Sequence, residues 1–77
     1  MHRTAYVFIN SEAPTVNPAP YIRSAILTVT NAVHFRLFPS SRGSMGIRFR
    51  SWAERDAIVD MSPIIHDGGH IWLERSE

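Results

Sequence analysis

Apolar and polar positions along the chain change period several times, and each change marks a predicted element. Thr4 to Asn10 (TAYVFIN) is apolar, aromatic and β-branched and predicts a strand. Ser11 to Asn17 carries Pro14 and no period, which predicts a loop. Asn17-Pro18 then supplies an N-cap and a first-turn proline. Ile22, Ala25, Ile26 and Val29 follow at the spacing of one helix face, and Asn31 is a candidate left-handed C-cap.

Strict alternation returns at Val33 to Phe38, with Val33, Phe35 and Leu37 on one face and His34, Arg36 and Phe38 on the other. After the turn at Pro39 to Gly43, Met45, Ile47 and Phe49 alternate with Gly46, Arg48 and Arg50. These two strands read as a hairpin with one buried face. Ser51-Trp52-Ala53-Glu54 has the form of a capping box. The helix it opens should turn Ala53, Ala57 and Met61 inward, with Trp52 or Ile58 beside them, and stop at Pro63. Asp56 and Asp60 fall on its solvated face with Arg55 as local partner. Ile64 to His66, a turn at Asp67 to Gly69, and His70 to Arg75 complete the chain as a short strand, a hairpin and a last strand.

The order is β-α-β-β-α-β with a small extra hairpin before the final strand. It predicts an α+β, ferredoxin-like fold: a four-stranded antiparallel sheet with two helices on one face. The length of 77 residues fits one domain, expected to be a module of a longer protein, with a small core and no room for a large internal active site. Hydrophobic residues are 44% and charged residues 19% of the chain, a globular balance. There is no cysteine, which excludes disulfide frameworks, thiolate zinc sites and cysteine nucleophiles. No stretch reaches the ~20 apolar residues of a membrane span, so an intracellular location, nuclear or cytoplasmic, is expected and no membrane partner.

Net charge is only +1, yet all eight cationic residues are Arg. Genomic base composition explains such usage, and so does a need for planar, bidentate contacts to phosphate or carboxylate. Between Val33 and Arg50 four Arg and one His occur without an acid, whereas Glu54 to Glu77 holds six acids and two Arg. One charged patch is therefore expected on a balanced domain.

The alternation assigns Val7, Ile9, Val33, Phe35, Leu37, Met45, Ile47 and Phe49 to the core. The free sheet face then carries Tyr6, Phe8, His34, Arg36, Arg48 and Arg50, with Trp72 a further candidate. Aromatics beside Arg and His on a flat sheet suit the stacking of unpaired bases of single-stranded RNA or DNA. The same rings would also serve a protein partner or a homodimer, for which Trp52 and Trp72 are the candidate anchors. His66 and His70 flank a turn, so helical metal-ligand spacing does not apply and no metal or other cofactor is expected. No nucleophile, base and orienting acid fall into a recognisable pattern, so a non-catalytic binding module is expected.

Val7-Phe8-Ile9-Asn10 is similar to the first signature strand of the RNA-recognition motif, with Phe8 at the stacking position. Arg42-Gly43-Ser44-Met45-Gly46-Ile47-Arg48-Phe49 keeps the basic-Gly opening and the closing residues of the second. Ser44 and Gly46 stand where that family places two exposed aromatics. From about Phe35 to Glu77 the chain also resembles the plant retrotransposon-associated domain of unknown function that often precedes a CCHC zinc knuckle. The stretches that carry this are Phe35 to Met45, Phe49 to Asp56 and His66 to Arg75. The resemblance implies an RRM-like fold and nucleic-acid binding in a retrotransposon-derived setting; the zinc knuckle itself is not in this sequence.

Overall fold

A computed structural model describes residues 3–11, 17–30 and 34–76. The elements are β1 (Thr4–Ser11), α1 (Pro18–Val29), β2 (Phe35–Phe38), β3 (Met45–Phe49), α2 (Trp52–Asp60), β4 (Ile64–His66) and β5 (Gly69–Arg75). They form an α+β domain whose antiparallel sheet runs β2-β3-β1-β5-β4. The sheet has five strands where four were expected. The cause is local: Asp67 and Gly68 both take positive φ, 50° and 82°, as a two-residue hairpin requires. That turn pairs Ile64 with Ile71 and His66 with Gly69, and Ile64 is buried, so the short hairpin joins the sheet instead of standing apart.

One face of the sheet meets both helices. Ala5, Val7, Ile47, Ile71 and Leu73 are buried there against Ile22, Ala25 and Ile26 of α1 and Ile58 of α2. Each of the Val, Ile and Leu side chains contributes about 1.5–3 kcal/mol through removal from water, which makes this layer the main stabilising element. Asn17 caps α1 as expected, its side-chain oxygen accepting from the Ala19 N–H at 3.1 Å. Val29, expected on the inward face, is exposed, because the chain leaves the helix at an extended Thr30. Ile9 and Met45 are only partly buried at the edge of the core. The expected C-cap Asn31 and core residue Val33 lie outside the described residues, as does most of the loop after β1.

Helix α2 packs by a different face from the one its alanines suggest. Ala53, Ala57, Met61 and Trp52 are exposed, and the inward positions are Arg55 and Ile58, with Val59 partly buried beside them. Alanine has too little apolar surface to orient a helix, whereas Ile58 and the stem of Arg55 bury more. Arg55 is only 4% exposed, and its guanidinium donates to the Thr4 carbonyl at 3.5 Å and to Asp56 at 3.0 Å. Arg75 of β5 donates to the same Asp56 carboxylate at 2.9 Å and reaches Asp60 at 3.4 Å. The two aspartates therefore bind α2 to β5 rather than face solvent alone. The capping box is half made: Ser51 accepts from the Glu54 N–H at 3.2 Å, while the Glu54 carboxylate accepts from Arg50 at 2.8 Å.

Partial desolvation raises the Asp56 pKa, but hydrogen bonds from Arg75 and Arg55 and their charges outweigh it and hold the carboxyl below its ordinary value. A carboxyl depressed in the folded state stabilises the fold above its unfolded pKa of about 3.9 and loses that contribution as pH falls through the folded value. Asp56→Asn should therefore lower the denaturation midpoint at neutral pH and flatten its fall with acidification below about pH 4. Urea titrations of both proteins across that range check this; parallel pH profiles would refute the role of Asp56.

Candidate nucleic-acid interface

Because Ala5 and Val7 point into the core, Tyr6 and Phe8 emerge on the opposite face, which neither α1 nor α2 covers. Strand register decides their neighbours. Phe8 sits across from Trp72, Tyr6 across from Glu74 and Asn10 across from His70 on β5. On the other flank Tyr6 faces Gly46, which in turn faces Phe38 of β2. The Phe8 and Trp72 rings stack at 5.6 Å with planes 10° apart, and His70 tilts against Trp72 at 5.7 Å. Ile65 of β4, opposite His70, extends the row and is 78% exposed.

Two glycines shape this face. A Cβ on Gly46 would lie 2.2 Å from the Phe38 ring, so the ring covers the strand at the position that has no side chain of its own. Gly43 takes φ 71°, and a Cβ there would come 2.6 Å from the Val7 carbonyl oxygen. Its turn brings the Ser44 N–H within 2.7 Å of that same oxygen and the preceding Arg42 over β1. The Arg42 guanidinium covers the Tyr6 ring at 5.2 Å and reaches Glu74 at 3.8 Å. Ser44 and Gly46 carry no ring themselves, and the rings on either side of them on this face are Phe38 of β2 and, across β1, Trp72 of β5.

At one end of the β2–β3 pair the same face runs into a cleft of about 620 Å³. It is lined by Arg3, Arg23, His34, Arg36, Arg48 and Arg50 over an apolar floor of Leu27, Phe35 and Phe49. The Arg23 guanidinium lies 4.9 Å above the Phe35 ring, and Arg3 donates to the Arg50 carbonyl at 3.5 Å. Arg50 is paired with Glu54. Among the described residues Arg3, Arg23, Arg36 and Arg48 have no acidic partner. Arg36 and Arg48 stand directly opposite each other across the strands, a like-charge placement that destabilises a sheet in the absence of an anion.

His34, Arg36, Arg48 and Arg50, all read from the sequence, come together in this cleft, and Tyr6 and Phe8 lie on the aromatic row of the same sheet face. Trp72 joins that row, half-buried. Trp52 does not: it is 63% exposed at the first turn of α2, in the helix layer, so the two tryptophans form no common anchor. Arg3, Arg23 and Phe38 are further members that the strand alternation alone did not assign to the site. For Phe38 the signal is present in its alternation with Arg36. Arg3 is brought in by its carbonyl, which accepts from the Phe49 N–H at 2.7 Å. His66 and His70 turn to opposite faces of the sheet, the first against Tyr21 and the second against Trp72. Among the described residues no group of His and carboxylates is placed to hold a metal ion.

Compared with family models, curated proteins and solved structures, the chain matches none.

The Phe38–Gly46 contact is open to a double-mutant cycle. Gly46→Ala should displace the ring and lower stability by about 1–3 kcal/mol. The same change in a Phe38→Ala background should cost at least about 0.5 kcal/mol less, a coupling that chemical denaturation resolves. Equal costs in both backgrounds would show that the ring does not rest on Gly46.

Proposed function

We propose that this domain is a non-catalytic module that binds single-stranded RNA or DNA on the open face of its sheet. The observation that carries the reading is an aromatic row that continues into Arg36 and Arg48, with Arg3 and Arg23 lining the cleft at its end and none of the four paired with an acid among the described residues. Stacking on an aromatic contributes about 1–3 kcal/mol per base and tolerates any sequence. Arginines beside it supply the phosphate contacts that set register and salt dependence. Phe38, Tyr6, Phe8 and Trp72 are the base platform; Arg36 and Arg48 are the nearest phosphate contacts. Arg42 lies over Tyr6 and acts as a movable cover, since its pair with Glu74 is long and solvent-exposed.

The strand order β2-β3-β1-β5 with both helices on one side supports a ferredoxin-like, RRM-like reading of the fold, with β4 added at the edge. The signature-like strand at Val7 to Asn10 and the resemblance to a retrotransposon-associated plant domain support the same reading. No helix among the described residues is long and apolar enough to cross a membrane. A second reading, a protein partner or a second copy on this face, is favoured by the exposed Ile65 at the end of the row.

Salt separates the two. Binding of labelled oligonucleotides of about ten residues, followed by anisotropy, should weaken steeply between about 50 and 200 mM salt. Arg48→Gln should weaken it at all sequences and reduce the salt slope by about one. Arg50→Gln should do less, since Glu54 already neutralises Arg50. Absence of oligonucleotide binding, together with a dimer that persists in high salt, would transfer this face to the protein reading.

A further inference from the structure

We propose that the arginine cleft at the end of β2 and β3 holds a terminal phosphomonoester, the phosphorylated end of a nucleic-acid strand whose bases lie along the open face. This rests on the reading above and adds a polarity to it. The first ground is charge. An internal phosphodiester carries one negative charge and two free oxygens, which a single bidentate guanidinium can match. The cleft offers four guanidiniums with no acidic partner among the described residues. A phosphomonoester carries about 1.5–2 charges and three acceptor oxygens, which suits several guanidiniums at once.

The second ground is arrangement. The four arginines come from four different segments: Arg3 before β1, Arg23 on α1, Arg36 on β2 and Arg48 on β3. Arg36 and Arg48 belong to the open face, whereas Arg23 and Leu27 approach from the helix layer. The charges therefore surround a corner of the domain instead of following a track across it. Along the aromatic row beyond Arg36 and Arg48 the next exposed cation is Arg42 alone, so positive charge is concentrated at this corner. The third ground is cost: the opposed Arg36 and Arg48 repel each other, and a dianion between them removes the repulsion.

The test uses four probes of one sequence and its parts: a 5′-phosphorylated, a 3′-phosphorylated and a hydroxyl-ended oligonucleotide, and the matching nucleoside monophosphate. One phosphorylated end should bind at least about tenfold more tightly than the hydroxyl-ended strand, the worth of one or two added charge-assisted hydrogen bonds. In Arg23→Gln that ratio should fall to about threefold or less, with Arg23→Lys intermediate because it keeps charge but loses the bidentate fork. An unchanged amide spectrum controls for loss of the Arg23–Phe35 contact. Equal binding of all three strands would overturn the end-binding site while leaving the open-face reading intact. A nucleoside monophosphate that binds as tightly as the phosphorylated strand would keep the phosphomonoester site and remove the base platform. Silence from every probe would overturn both.

Discussion

Burial of Ala5 and Val7 at the centre of the sheet is the constraint on which the rest depends. β1 pairs with β3 on one side and β5 on the other, so its register sets the faces of its neighbours. A slip of one residue would carry Tyr6 and Phe8 into the core and expose Ala5 and Val7, at a cost of several kcal/mol in lost apolar burial. The same register places Trp72 opposite Phe8 and Gly46 opposite Tyr6. The exposed row is therefore a consequence of core formation, and its composition is where selection for binding could act. Both helices of the described residues pack on the core side of that sheet.

Electrostatic placement follows the same division. The acids of α2 are used inside the fold, where Asp56 joins Arg55 and Arg75 and fastens α2 to β5. Glu54 takes Arg50. This leaves Arg36 and Arg48 of β2 and β3 without an acidic partner among the described residues, and helix α1 adds Arg23 beside them. A net charge of +1 thus conceals a domain with a compensated seam and an uncompensated corner. Such a separation matters for recognition because field strength at a cleft depends on local charge, not on the sum.

Element type and order, and the faces of most strand residues, were legible in the sequence because the β-branched and aromatic run at Thr4 to Asn10 and the alternation at Phe35 to Arg50 are strong and the turn residues agree with them. The fifth strand was visible as a hairpin, but three residues carry too little pattern to show that they join the sheet. The packing face of α2 is hidden in the sequence because Ala53 and Ala57 have helical spacing but little surface, while one of the two residues that pack inward, Arg55, is charged. Arg3 and Arg23 could not be linked to Arg48 by any local rule. They are brought to one cleft by the β1–β3 pairing and by the position of α1 over the sheet. A site assembled from four separate segments leaves no spacing to read.

Binding as proposed belongs to the uncovered sheet face and not to the helix layer. Amide-shift titration of the labelled domain with short single-stranded RNA and DNA tests it most directly. Shifts at Tyr6, Phe8, Arg36, Phe38, Arg48 and Trp72 should appear and shrink as salt rises, with Trp52 and the outer face of α2 unmoved. Shifts confined to α2, or none with either nucleic acid, would contradict it.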